Sequence, residues 1–129
     1  MIGLVVTFRL RPGHEAEFDV LLGDVLNGIR VHEPGTLMYA RAKEANAPGS
    51  RVLLEVYRDE AAFRAHEEQP HTRAFLEARA NHGAAPIEVR GLRVDHVAGA
   101  WAPSGSRRGA VRAADRRRPP AAGTRGVSF

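Results

Sequence analysis

The stretch from Glu55 to Phe75, EVYRDEAAFRAHEEQPHTRAF, holds the residues best suited to proton chemistry. Histidine is the one side chain whose ordinary pKa lies near neutrality, which makes His66 and His71 candidates for moving a proton. Glu55 alternates with Leu53 and Tyr57, so the three share one face of a strand. A carboxylate in that setting is costly to bury unless it is paired or its pKa is raised. Two roles fit it: an ion pair with Arg9 or Arg41 across a sheet, or a pocket acid that orients a histidine or a substrate hydroxyl. His66 follows Phe63 by three residues and lies on the same helix face. His71 falls in the first turn of a helix opened by Pro70, where the helix N-terminus favours a neutral imidazole able to accept a proton. In the other reading, one or both histidines only hydrogen-bond the broken backbone between the two helices.

A metal site made from this pair is not expected. His-x4-His across a proline break lacks the one-face geometry of a continuous helix, and no third ligand is spaced for it. His14, His32, His82 and His96 sit at predicted element ends or exposed positions and read as surface residues. There are no cysteines, which removes thiol nucleophiles, thiolate ligands and disulfides and fits a reducing compartment. No glycine-rich nucleotide fingerprint and no nucleophile-elbow serine occurs, so classical hydrolase and nucleotide-dependent chemistries have no support.

The elements that must position these residues can be read from periodicity. Ile2–Leu10 alternates, with both faces largely apolar near its start, as in a strand covered on both sides. Pro12-Gly13 breaks it, and Phe18, Leu21, Leu22, Val25 and Ile29 then recur at helical spacing over about 14–32. Glu33-Pro34-Gly35 stops that helix. Thr36–Ala42 and Arg51–Arg58 are strands, joined across Asn46–Ser50 by a long hairpin loop. Asp59 caps a short helix to about Glu67, Pro70 starts another to about Asn81, and Ile87–Val97 is the last strand. The order β-α-β-β-α-β, with its second helix split at Gln69-Pro70, is the α+β, ferredoxin-like arrangement.

The net charge of +4 and pI near 10.6 suggest a nucleic-acid binder, but the charge is unevenly placed. Residues 1–98 carry 12 Arg and Lys against 14 Asp and Glu, a net of −2; residues 99–129 carry seven Arg against Asp115, a net of +6. The basic character therefore belongs to an Ala/Arg/Gly/Pro-rich tail, expected to be disordered, and not to the folded domain over 1–98. No nucleic-acid partner is expected for that domain. No apolar run approaches the length of a membrane span, and IGLVV is too short, and lacks the basic start, for a signal peptide. A soluble cytoplasmic protein with no membrane partner is the expectation.

On these residues the chain resembles the antibiotic biosynthesis monooxygenase (ABM) family, including its small quinol monooxygenases. The matching features are Arg11-Pro12-Gly13, Glu33-Pro34-Gly35 with Tyr39 following, Glu55-Val56-Tyr57, and above all Ala62-Phe63-Arg64-Ala65-His66 with Pro70-His71 and Phe75. The resemblance covers about residues 1–98. It implies a ferredoxin-like domain that forms a homodimer through its sheet, giving a dimeric α/β barrel. It implies oxidation of a small aromatic, quinol or polyketide-like substrate by dioxygen with no cofactor: no metal, flavin or haem. His66 would be the catalytic residue, as the base or by orienting the phenolate. Glu55, Tyr57, Tyr39 and His71 would line the substrate pocket, and Phe63, Phe8, Met38 and Leu76 would form its apolar wall. The haem-degrading branch of the family uses a ligand histidine on the last helix, about where Leu76–Arg79 lies, and none stands there. Two other readings remain beside the oxygenase: a non-catalytic dimeric barrel that binds a small hydrophobic ligand in a stress or regulatory role, and an isomerase or decarboxylase-like enzyme on the same scaffold.

Overall fold

The computed structural model describes residues 1–98; the tail expected to be disordered, residues 99–129, lies outside the described residues. Four strands and three helices follow one another as β1 (Ile2–Arg9), α1 (Glu15–His32), β2 (Thr36–Glu44), β3 (Ala47–Tyr57), α2 (Glu60–Glu68), α3 (Pro70–Ala78) and β4 (Glu88–Arg93). A single 3-10 turn, Arg79–Asn81, extends α3. The strands form one antiparallel sheet in the order β2-β3-β1-β4, the ferredoxin-like topology.

The helices gather on one face of this sheet. Phe18, Leu22, Val25 and Ile29 recur on α1 at helical spacing and bury against Val6, Phe8 and Leu10 of the first strand and its extension, Leu53 of β3 and Phe75 of α3. Phe8, Phe18 and Phe75 meet edge to face or tilted, with ring centroids 5.0 to 5.8 Å apart. The opposite face presents Val5, Met38, Ala40, Val52 and Leu54, all half-buried, together with buried Val56. No helix among the described residues is long and apolar enough to cross a membrane.

The stop and start signals act as their chemistry requires. Asp59 caps α2 by accepting a hydrogen bond from the Ala62 amide at 2.8 Å, and Pro70 occupies the first position of α3. Gln69 between the helices is extended, with φ −65° and ψ 141°. Two boundaries differ from the sequence reading. The β2–β3 hairpin is tight, with Glu44 paired to Ala47, so no long loop exists. Pro48 and Gly49 are accommodated because they lie beyond the last β1–β3 pair, Arg9–Ser50, and beside a register shift at Ala42/Glu44. The last strand is also shorter, ending at Arg93 rather than Val97.

Arginine and acid pair elsewhere than expected. Arg51, 2% exposed, is held by the Asp19 carboxylate at 2.7 and 3.2 Å and by the Pro48 and Ser50 carbonyls. Arg41 reaches the same Asp19, at 3.6 Å, and Arg9 bonds Glu44. The guanidinium of Arg51 holds Asp19 below the usual carboxylate range. Neither arginine expected beside Glu55 is there.

Candidate active site

One end of the helix-covered face is organised by Glu33, in the turn between α1 and β2. Its side chain is 3% exposed and accepts three hydrogen bonds. Thr36 Oγ1 donates at 2.7 Å and His66 Nδ1 at 2.7 Å, both to Oε1, and His71 Nε2 donates to Oε2. Burial by itself would raise the Glu33 pKa, but the donors from Thr36, His71 and His66 outweigh it and leave the pKa lowered. The group is therefore a carboxylate, which can only accept, and the network assigns the proton of His66 to Nδ1 and a proton of His71 to Nε2.

His66 and His71 share one carboxylate, and Glu33 is the third partner that spacing did not reveal. The proline break is what joins them. Five residues along one continuous helix would separate the two side chains by about 140°. Extended Gln69 resets the direction, so α2 and α3 approach the same carboxylate from two sides. Close packing completes the arrangement. A Cβ on Gly28 of α1 would lie 2.3 Å from the His71 ring, and one on Gly35 would lie 2.6 Å from the Ala62 Cβ. Only glycine lets α1 and the β2 turn come this near to the two helices that carry the histidines.

Around this core, the His66 ring lies 5.6 Å from that of Tyr39 and 5.2 Å from that of Tyr57, and Tyr57 meets Phe63 at 5.2 Å. Tyr57 OH donates to Glu55 Oε1 at 2.5 Å. His66 and Glu55 are 5% and 6% exposed, and burial lowers the His66 pKa. Burial also pushes Tyr39 and Tyr57 far up, aided by the nearby Glu55 charge, so both phenols stay protonated donors. His66 Nε2 makes no hydrogen bond to the described residues; Nδ1 carries its bond to Glu33 and lies 3.4 Å from Thr72 Oγ1. A neutral imidazole with Nδ1–H tied to a carboxylate and Nε2 bare is poised to accept a proton.

Of the expected site residues, the structure brings together His66, His71, Tyr39, Tyr57, Glu55 and Phe63. It does not bring Phe8, Met38 or Leu76 to them. Phe8 is 3% exposed inside the aromatic core with Phe18 and Phe75. Met38 lies on the other face of the sheet, because Tyr39 stands opposite Glu55 while Met38 stands opposite Val56. A register shift between Thr36 and Met38 keeps Thr36 opposite Tyr57 and so near Glu33. Leu76, on the outside of α3, is 39% exposed. A groove of about 200 Å³ opens at the opposite end of the sheet and is lined by Phe8, Arg79, Gly83, Pro86 and Ile87 among others.

Glu55 gives the site a pH signature. Burial pushes its pKa up to about 7, against the lowering effect of the Tyr57 hydrogen bond. A carboxyl whose folded pKa exceeds its unfolded value contributes stability that is fully present below the unfolded value and is lost as pH rises through about 7. His66, with its lowered pKa, acts in the opposite sense over part of this range. The difference between the wild type and Glu55→Gln isolates the carboxyl. Urea midpoints measured from pH 4 to 8 are expected to show the wild type losing stability relative to the variant between about pH 4.5 and 7. Parallel curves would assign Glu55 an ordinary pKa.

A ferredoxin-like domain with a buried acid–histidine cluster under its helices is thus the class defined by fold and site. The family model for antibiotic biosynthesis monooxygenase (ABM) matches residues 1–78, and the chain belongs to that family. No curated protein matches it significantly. Among solved structures, it is similar to a Caulobacter crescentus protein named for the same family, at 25% identity and TM-score 0.70, covering 74% of this chain and 90% of that one. A Nitrosomonas europaea protein, also named for the family, matches at 22% identity and TM-score 0.68, covering 74% and 100%. A conserved protein of Methanosarcina mazei matches at 21% identity and TM-score 0.67, covering 71% and 90%.

Proposed function

We propose that the protein is a cofactor-independent monooxygenase that oxidises a small aromatic substrate of the phenol or quinol type with dioxygen. One observation carries the reading: the Glu33–His66 hydrogen bond at 2.7 Å, which fixes the imidazole with Nε2 free of any partner among the described residues. Family membership supports the reaction class. In this mechanism His66 Nε2 removes the phenolic proton, and Glu33 stabilises the imidazolium that results. The phenolate passes one electron to dioxygen, and the phenoxyl radical and superoxide combine at a ring carbon. The imidazolium returns its proton to the peroxide, and loss of the ring C–H proton as the O–O bond breaks gives a quinone and one water, so that ArH(OH) and O2 balance against quinone and H2O. Tyr39 and protonated Glu55 supply hydrogen-bond donors beside the ring, Tyr57 holds Glu55 through its own O–H, and His71 holds the second oxygen of Glu33.

The test is oxygen uptake by the purified chain with a panel of reduced naphthoquinols and phenols, with product identified by mass. Uptake that gains one oxygen atom in the product is the expected result. Absence of uptake across the panel, with a ligand-dependent rise in Tm, would replace the oxygenase by a binding module.

We also propose that the chain is a homodimer through the sheet face opposite the helices. The apolar residues Val5, Val52, Leu54 and Val56 on that face support it, since a sheet face of this composition that no helix of the described residues covers favours a partner. Light scattering is expected to give twice the chain mass, and Leu54→Asp to give the monomer. A monomeric wild type would exclude this arrangement.

A further inference from the structure

A second cluster lies at the other end of the domain. His14 precedes α1, Glu17 is in its first turn, and His82 follows the 3-10 turn. The Nδ1 atoms of His14 and His82 are 3.1 Å apart, and a Glu17 carboxylate oxygen lies 4.0 Å from His82 Nδ1. One donor atom from each of the three lies within 4.8 Å of the others. We propose that His14, His82 and Glu17 form a binding site for a borderline divalent transition-metal ion, with Zn2+ the first candidate.

The geometry carries this. At ordinary Zn–N lengths of about 2.0–2.1 Å, two nitrogens 3.1 Å apart subtend about 100° at the ion, close to a tetrahedral angle. The spacing of the pair therefore suits two ligands of one ion, with each ring tilting off the present N–N line to face it. The ion would replace the proton now shared between the two nitrogens. Glu17 is 76% exposed and free to close the remaining distance, and the outward side would be left to water, as in a three-ligand zinc site.

The backbone around the histidines is held in place. Arg11 N–H donates to the His82 carbonyl at 2.9 Å and Arg11 Nε to the Gly83 carbonyl at 3.0 Å, while His14 N–H donates to the Arg11 carbonyl. The His82 ring also packs 6.2 Å from that of Phe18, and its side chain is only 13% exposed. Opposing the site are the positive end of α1 and the Arg11 guanidinium; Glu15 and Glu17 in the first turn offset them. A bound ion would tie the start of α1 to the segment that leads into β4, next to Gly83 at the rim of the groove.

Calorimetric titration of Zn2+ into the full-length untagged chain tests the site. One equivalent is expected to bind with a rise in Tm. His14→Asn and His82→Asn should each weaken binding tenfold or more, and Glu17→Gln threefold or more, while His66→Asn leaves it unchanged. Imidazole 15N shifts of the wild type, which require no variant, are expected to move at His14 and His82 on adding Zn2+. No binding, binding lost with His66→Asn, unchanged affinity in Glu17→Gln, or unchanged shifts at His82 would each overturn the proposal.

Discussion

Replacing His66 with alanine is expected to reduce oxygen uptake by on the order of 10²–10⁴-fold, the usual contribution of a positioned general base. Glu33→Gln is expected to come close to the same loss while keeping the fold. The amide has nearly the shape of the carboxylate, but its nitrogen can only donate. Thr36 and His66 donate to one oxygen position of Glu33 and His71 to the other, so the nitrogen meets a donor in either orientation. The least costly relief is a change of tautomer in one imidazole. If His66 changes, Nδ1 becomes the acceptor and Nε2 carries the proton, and the base is lost although the ring has not moved. Because the two residues act as a unit, the double variant should be scarcely slower than His66→Ala alone. Steady-state kcat and imidazole 15N shifts read the two effects separately. Full activity in His66→Ala would remove the residue from the mechanism.

The largest stability effect is expected at Asp19. Its carboxylate is the one negative partner of Arg51 among the described residues, and the guanidinium side chain is 3% exposed. Taking away one member of a buried pair leaves the other charge uncompensated, which costs about 3–5 kcal/mol. The Pro48 and Ser50 carbonyls keep two of the guanidinium hydrogen bonds, so Asp19→Ala belongs at the lower end, about 3 kcal/mol. The double variant Asp19→Ala, Arg51→Met should recover most of this loss, because a flexible apolar side chain then fills the site with no charge to solvate. Urea unfolding of the three proteins checks it. A double variant as unstable as Asp19→Ala would mean that packing of the Arg51 stem, not its charge, is decisive. Since Asp19 has a lowered pKa, its contribution is present above the unfolded carboxyl pKa and fades as pH falls through the folded one.

The elements were legible because their signals are local. Alternation along Ile2–Leu10, the Phe18–Ile29 spacing, Asp59 as a cap and Pro70 as a helix start each act within a few residues. Glu33 was legible only as part of a turn that stops α1. Its role depends on His66 and His71, 33 and 38 positions away, and no periodicity connects them. Met38 was placed on the pocket wall with Tyr39, although neighbours in a strand face opposite ways; the register shift at Leu37 decides which of the two faces Glu55. Glu55 pairs with neither Arg9 nor Arg41 because Glu44 takes Arg9 and Asp19, on a helix, takes Arg41. His14 and His82 meet across 68 positions and were read singly as surface residues.

Glu33 sits on one side of the break between the first helix and the sheet, and both histidines sit on the other, across Gly28 and Gly35. The acid and its base are thus contributed by different elements, and they meet only while the helices stay packed against one another. Any loosening of that packing separates them before the chain unfolds. Turnover in mild denaturant should therefore fade ahead of the global transition, which would make the reaction itself a gauge of local opening in this domain.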